Sequence, residues 1–341
     1  MQRRHLTFLA ASAGLGLLTR SALAQTTIAP GMASAPSPSP TTFPSQTVRI
    51  ISPFPAGSGP DVVARIVGER LTANWRQPVI VDARPGANGF LAIGAVKQAP
   101  PTGYDLLIAD VGHLAISPSL FRKLPYDPKA DFVPVGGVYR TSFFVVVAAN
   151  SPIRSIKDLV AAAASTPGKL TYGSNSIGGP LHLGAAQVEA ATGTRMTHVP
   201  YKEISQLYIA VSTGEIDWAM GSYASVGALL KAGKVRFIAV ADGTRSPHLP
   251  NVPTFEESGG PKGVQARTWV ALLAAKGTPA GVVSRLNQSM NEVLKQPEVQ
   301  EKFATFGFVP DPTTPAALAS LIGTDTVVYA SMVKRTGASA E

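Results

Sequence analysis

The chain has 341 residues, 45% of them apolar, enough to bury the cores of two lobes or domains. It contains no cysteine, which excludes disulfides, thiolate metal sites, cysteine catalysis and a lipidated N-terminal cysteine. Its formal charge is +9, but no run of four basic residues carries it and aromatics are only 7%. That distribution argues against nucleic acid as a partner and suits small organic acids.

Residues 1–24 read as a signal peptide. Arg3 and Arg4 supply the basic end, Leu6 to Leu18 the apolar stretch, and Ala22-Leu23-Ala24 the cleavage pattern. The arginine pair resembles a twin-arginine signal. The apolar stretch is short for a membrane span of about 20 residues. Removal of the segment takes Arg3, Arg4 and Arg20 with it and leaves a charge of +6. The protein is therefore expected to be exported, soluble and not a lipoprotein. Residues 25–44 are rich in Pro, Ser and Thr and bury too little to order themselves, so they read as a tether.

From Thr47 the pattern alternates strand and helix: TVRIISPF, PDVVARIVGERLTANW, QPVIVDARPG, GFLAIGAVKQA and YDLLIAD. Alternation of this kind predicts a mainly parallel sheet with helical crossovers. The apolar run Phe143 to Ala149 then opens a second βα series through VRFIAVA, and Thr268 to Ala275 carries the chain back. The tail is helical, broken at Pro297 and Gly307. The expected architecture is α/β and two-lobed. Lobe 1 takes residues 45–149 and 267–341, lobe 2 takes 150–266, and two crossing strands join them beside an interlobe cleft.

Two corners carry the chemistry. In the first, a strand stops at Pro53 and a helix restarts beyond Phe54, Pro55, Ala56, Gly57, Ser58 and Gly59, with Asp61 in its first turn. Backbone N–H groups at such a helix start suit an anion. A dinucleotide's pyrophosphate is a poor fit, because Val62 stands at the third glycine position and Pro55 and Pro60 remove two donors. The second lobe repeats the device with Ser174, Asn175, Ser176, Ile177, Gly178 and Gly179. Two corners facing across a cleft can clamp both ends of one anionic ligand. His113 and His182 sit beside these loops as candidate polar contacts, whereas His198 lies within a strand and reads as a core or cleft residue. No metal-ligand spacing, G-x-S-x-G elbow or P-loop is present, and no cofactor or metal is expected.

Stretches such as VRIISPFPAGSGPDVVAR, QPVIVDARPGANG, LAISPSLFRKLPYDPKADFVPV, THVPYK and RSPHLPNVPTFEESG follow one another in the chain. From Thr47 to about Lys334 the sequence resembles the Bug-type periplasmic solute receptors of tripartite tricarboxylate transporters. The resemblance implies a two-lobed Venus-flytrap receptor of the type II kind. Such a receptor acts as a monomer, holds a small carboxylate by the loops at Phe54 to Asp61 and Ser174 to Gly179, and hands it to membrane permease subunits. Lys202 of VPYK and Ser222 complete the expected ligand set. Three departures alter the pocket: Ser58-Gly59-Pro60 replaces a stretch with Thr, Glu203-Ile204-Ser205 replaces small residues, and Met220-Gly221-Ser222 replaces Phe-Asp-Asn. The lost Asp removes a partner for a ligand ammonium. The alternatives are a sensor subunit that presents its closed form to a membrane kinase, and an enzyme using the same cleft, for which no nucleophile–base pair is in view.

Overall fold

The computed structural model describes residues 43–340, so the expected signal peptide and nearly all of the tether lie outside the described residues. Strand β1 (Val48–Ser52) is buried except for Arg49, which reaches Asp105 at 2.6 Å. Burial on both faces marks a central strand. Helix α1 (Gly59–Trp75) leads to β2 (Val79–Ala83), and α2 (Phe90–Lys97) to β3 (Asp105–Asp110); β2 and β3 flank β1 in parallel. A π-type turn at Gly112–Ile116 and the short α3 (Ser117–Leu120) follow, and then the long strand β4 (Phe132–Ser142).

The chain next enters a second sheet. Its elements are β5 (Phe144–Ala148), α4 (Ile156–Ser165), β6 (Thr171–Ser174), α5 (Pro180–Thr192), β7 (Thr197–Pro200), α6 (Ile204–Thr213), β8 (Trp218–Gly221), α7 (Tyr223–Lys231) and β9 (Val235–Val240). It returns through β10 (Arg267–Ala275), α8 (Ala280–Leu294), α9 (Pro297–Ala304), β11 (Val309–Pro310) and α10 (Pro315–Thr336). The strand orders are β11-β4-β10-β3-β1-β2 and β7-β6-β8-β5-β9. Each sheet is sandwiched between two apolar clusters of helices and strands.

Both sheets are mixed rather than mainly parallel. The βαβ portions are parallel as expected, but β10, β4, β11, β5 and β9 all pair antiparallel. The reason is that β4, β5 and β10 border the crossings, where the chain enters one sheet from the other instead of returning over a helix; β9 and β11, each reached over a helix, are antiparallel because they pair with β5 and β4. The expected lobe boundary at residue 149 also moves. Every partner of β5 lies in the five-stranded sheet, so the chain leaves the first sheet at Phe143. Neither apolar run crosses by itself. Phe143 and the step from Ala266 to Arg267 are the joints, and Phe143, Ala241 and Ala266 close a ring of three backbone hydrogen bonds of 2.8–2.9 Å there.

Helix α10 is long and apolar enough to cross a membrane, with a mean hydropathy of 1.4. Here it packs instead. Leu318, Ile322, Asp325, Tyr329 and Val333 recur at helical spacing on its buried face. Trp269 Nε1 donates to the buried Asp325 carboxylate at 2.6 Å, which ties the helix to β10.

Candidate functional site

The first loop is built around Asp61. This carboxylate is 1% exposed and accepts from the Gly57 amide at 2.9 Å and from Arg65 Nε at 2.9 Å, so its oxygens are spent on shaping the loop. Burial alone would raise its pKa; the Arg65 guanidinium and the Gly57 amide outweigh that and hold it below the usual carboxylate value. Gly57 adopts φ 79°, which favours glycine. Pro60 stands in the first turn of α1, where its missing N–H costs nothing, and the amide of Ser58 closes back on Pro55 O at 3.1 Å. Pro55, Ala56 and Gly57 are exposed, and Phe54, Ser58 and Gly59 are half-buried. Ser58 Oγ is buried and has no hydrogen-bond partner among the described residues.

His113 stands behind this loop. Its ring packs edge-on to Phe54 with centroids 5.5 Å apart, and its Nδ1 lies 2.6 Å from Asp110 Oδ1. That is ion-pair distance, but the ring is turned away from hydrogen-bond alignment; the His113 amide makes the aligned bond to the same oxygen at 3.1 Å. Burial would raise the Asp110 pKa, yet the facing histidine and the amides pull it below the usual value. A β-carbon on Gly89 would overlap His113 Nε2, so this glycine lets the imidazole in.

The second loop departs from expectation at one residue. Ser174 is fully buried, and its hydroxyl donates to Ser176 O at 2.9 Å and sits 2.8 Å from His198 Nε2. It therefore faces into lobe 2. Asn175, Ser176 and Ile177 are the exposed part of the loop, Ile177 at 52%. Gly178 is buried at φ 74° and gives its amide to His182 Nδ1 at 2.8 Å; Gly179 caps α5, whose first residue is Pro180. Lys202 is exposed beyond β7. Ser222 spends its hydroxyl on the start of α7, accepting from the Ser225 amide at 3.3 Å.

The two lobes meet around these loops. A β-carbon on Gly178 would overlap Leu120 Cδ1 of α3, and one on Gly307 would lie 2.8 Å from Tyr223 Cβ. Phe308 stacks on Tyr139 and approaches Gly59, where a β-carbon would lie 2.9 Å from its ring. Leu120 and Phe308 were not legible as neighbours of these loops, since each meets its loop from a distant part of the chain; Tyr223 and Gly307 meet each other across the lobes. Among the described residues, no group of three or more His, Cys, Asp or Glu is placed to hold a metal ion.

Residues 63–337 match the sequence family described as "Tripartite tricarboxylate transporter family receptor". The chain belongs to that family. Its receptors are periplasmic solute-binding proteins. The receptor is 31% identical to Protein BugT of Bordetella pertussis over 298 residues, 87% of this chain and 91% of that one. Among solved structures it is similar to R. palustris Rpa4515 with adipate, at a TM-score of 0.78 and 28% identity, covering 87% of this chain and 99% of the other. It is also similar to MatC from Rhodopseudomonas palustris with bound malate, at a TM-score of 0.73 and 27% identity, covering 85% and 100%. The two-lobed architecture is thus that of periplasmic binding proteins, and the family is one of solute-binding receptors.

Proposed function

We propose that this receptor captures a small carboxylate between its two loops and delivers it to the membrane subunits of a tripartite transporter, with no reaction of its own. The observation that carries this reading is the pairing of the loops. One opens α1 in the first sheet, the other opens α5 in the second, and each offers backbone donors beside small or apolar side chains. The buried, unpartnered Ser58 Oγ adds a hydroxyl at the first loop. Binding a carboxylate by amides and hydroxyls avoids burying a cation to match it. The structural relatives with adipate and malate lend the ligand class. The protein acts as an exported monomer, with a signal peptide in residues 1–24.

Thermal denaturation against panels of mono- and dicarboxylates, amino acids and sugars tests the proposal. A carboxylate at a hundredfold its Kd raises stability by about 2.7 kcal/mol. Stabilisation by sugars or amino acids, with none by carboxylates, refutes it.

A further inference from the structure

The imidazoles of His182, on α5, and His198, on β7, stack with centroids 4.0 Å apart and planes within 17°. Each grips a different end of the second loop. His182 Nδ1 accepts the Gly178 amide at 2.8 Å, and His198 Nε2 meets the Ser174 hydroxyl at 2.8 Å. The hydrogen bonds fix the tautomers. An acceptor at Nδ1 puts the His182 proton on Nε2. Because the Ser174 proton goes to Ser176 O, His198 Nε2 is the donor to Ser174.

We propose that His182 and His198 are positioning residues for the second loop: the stacked neutral pair holds both of its ends in the shape that receives the ligand, and protonation of the pair loosens it. The inference rests on the loop's binding role proposed above. Protonation at His182 Nδ1 destroys the acceptor that Gly178 needs. Protonation of both rings sets two cations face to face at stacking distance.

The surroundings keep the pair neutral. Tyr172 stacks on His198 at 5.1 Å, and its phenol is engaged by Glu189 at 3.2 Å. Glu189, Arg195 and Arg335 line a cavity of about 670 Å³ that both imidazoles share with the Gly337–Ser339 tail. Among the described residues Glu189 is the one carboxylate lining it; it is also bound to the Met196 amide at 2.6 Å, and burial raises its pKa, while the two arginines oppose another cation. Burial lowers the pKa of both histidines, His198 to about 4 with the His182 ring adding to the effect. The cavity provides a route for solvent protons.

Amide hydrogen exchange of the full mature chain, without ligand, tests the inference. At pH 7 the Gly178 amide is expected to exchange at least tenfold more slowly than those of Asn175 and Ile177. After correction for intrinsic rates, its protection falls as the pH is taken from 7 to 4. His182→Phe keeps a stacking ring but loses the acceptor, and exchange at Gly178 rises tenfold or more. His182→Asn, whose Oδ1 replaces Nδ1, recovers most of the protection and abolishes the pH step. His198→Gln keeps a donor in place of Nε2 and holds Ser174. Amides of β10 report the global fold in every variant. Titration with adipate and malate then shows whether loop order and affinity change together. Gly178 protection that is flat from pH 7 to 4 in the parent, or an Asn variant no better than Phe, overturns the inference. A parent that binds neither probe while the exchange pattern holds counts against the ligand reading and leaves the positioning role standing.

Discussion

The amide of Phe143 donates to the carbonyl of Ala266 at 2.9 Å, so the two places where the chain changes sheets are bonded to each other. With Ala241 completing the ring, a rotation of one lobe against the other is expected to be absorbed by residues flanking it, such as Ser142 and Arg267. A ligand favours closure only through contacts made in the closed form, which on the proposed binding mode are those of the two loops. Small-angle scattering is expected to give a smaller radius of gyration with saturating carboxylate than without. Gly178→Ala pushes a methyl toward Leu120 across the lobe contact and is expected to enlarge the liganded radius. Adding Leu120→Ala restores closure while the cost of φ 74° remains. An unchanged radius throughout removes the hinge from the account.

Asp61 organises the first loop through Gly57 and Arg65. Asp61→Ala takes the acceptor from the Gly57 amide and the partner from Arg65, and is expected to cost about 1–3 kcal/mol, with weaker binding beside it. Its depressed pKa stabilises the fold above the ordinary carboxylate value, and that contribution is lost as pH falls through the native value. Urea denaturation of parent and variant at pH 7 and pH 3 measures both effects, and the difference between them is expected to shrink at the lower pH.

Gly57 and Gly59 fail for different reasons when substituted. Nothing lies within 4 Å of a β-carbon on Gly57, so Gly57→Ala pays mainly for its left-handed backbone, about 1–2 kcal/mol. At Gly59 the obstacle is the Phe308 ring. Gly59→Val is therefore expected to be rescued in part by Phe308→Ala, and Gly57→Ala is not. Calorimetric titration and melting curves of the four variants separate the two.

Ser174 and Ser176 are expected to part company. Ser174→Ala loses two internal contacts of a buried hydroxyl and lowers stability by about 1 kcal/mol even without ligand. Ser176 is exposed, so Ser176→Ala leaves the melting temperature unchanged and acts, if it contacts a carboxylate, on affinity alone by about 1.5–3 kcal/mol. Equal melting temperatures for parent and Ser174→Ala contradict this division.

Acid weakens the fold through the histidine pair. Between pH 6.5 and about 4 the unfolded chain binds protons on residues that the native state keeps neutral, so stability is full above that window and falls within it. For His198 the full shift is worth about 3 kcal/mol, less after screening at a partly exposed ring. The urea midpoint of the parent is expected to drop from pH 7 to pH 4.5 more steeply than that of His198→Gln.

The strand–helix alternation was legible because each element carries its own period and its own stops, as with Pro53 after β1 and Gly193 after α5. Strand β4 was not. Pro134, Gly136 and Gly137 give it the look of a loop, yet the glycines are there because β-carbons would run into Met290, Asn287 and Asp311. Both loops could be read from their Pro and Gly content. The inward turn of Ser174 could not, since it is decided by His198 on a different strand. The approach of Phe308 to Gly59 likewise joins the two ends of lobe 1 and leaves no trace in either local sequence.

Strands β3 and β4 follow one another in the chain but are not neighbours; β10 lies between them and pairs with both. As a nascent chain emerges, the six-stranded sheet therefore remains in two pieces until Ala275 has been made, whereas the five-stranded sheet has all its strands by Val240. The lobe encoded in the middle is the first able to finish, and the one encoded first has to wait for the last quarter of the chain. A polypeptide held open in this way keeps an unpaired edge on β3 until β10 is in place, so the strand that completes the first lobe is also the one that joins its two pieces.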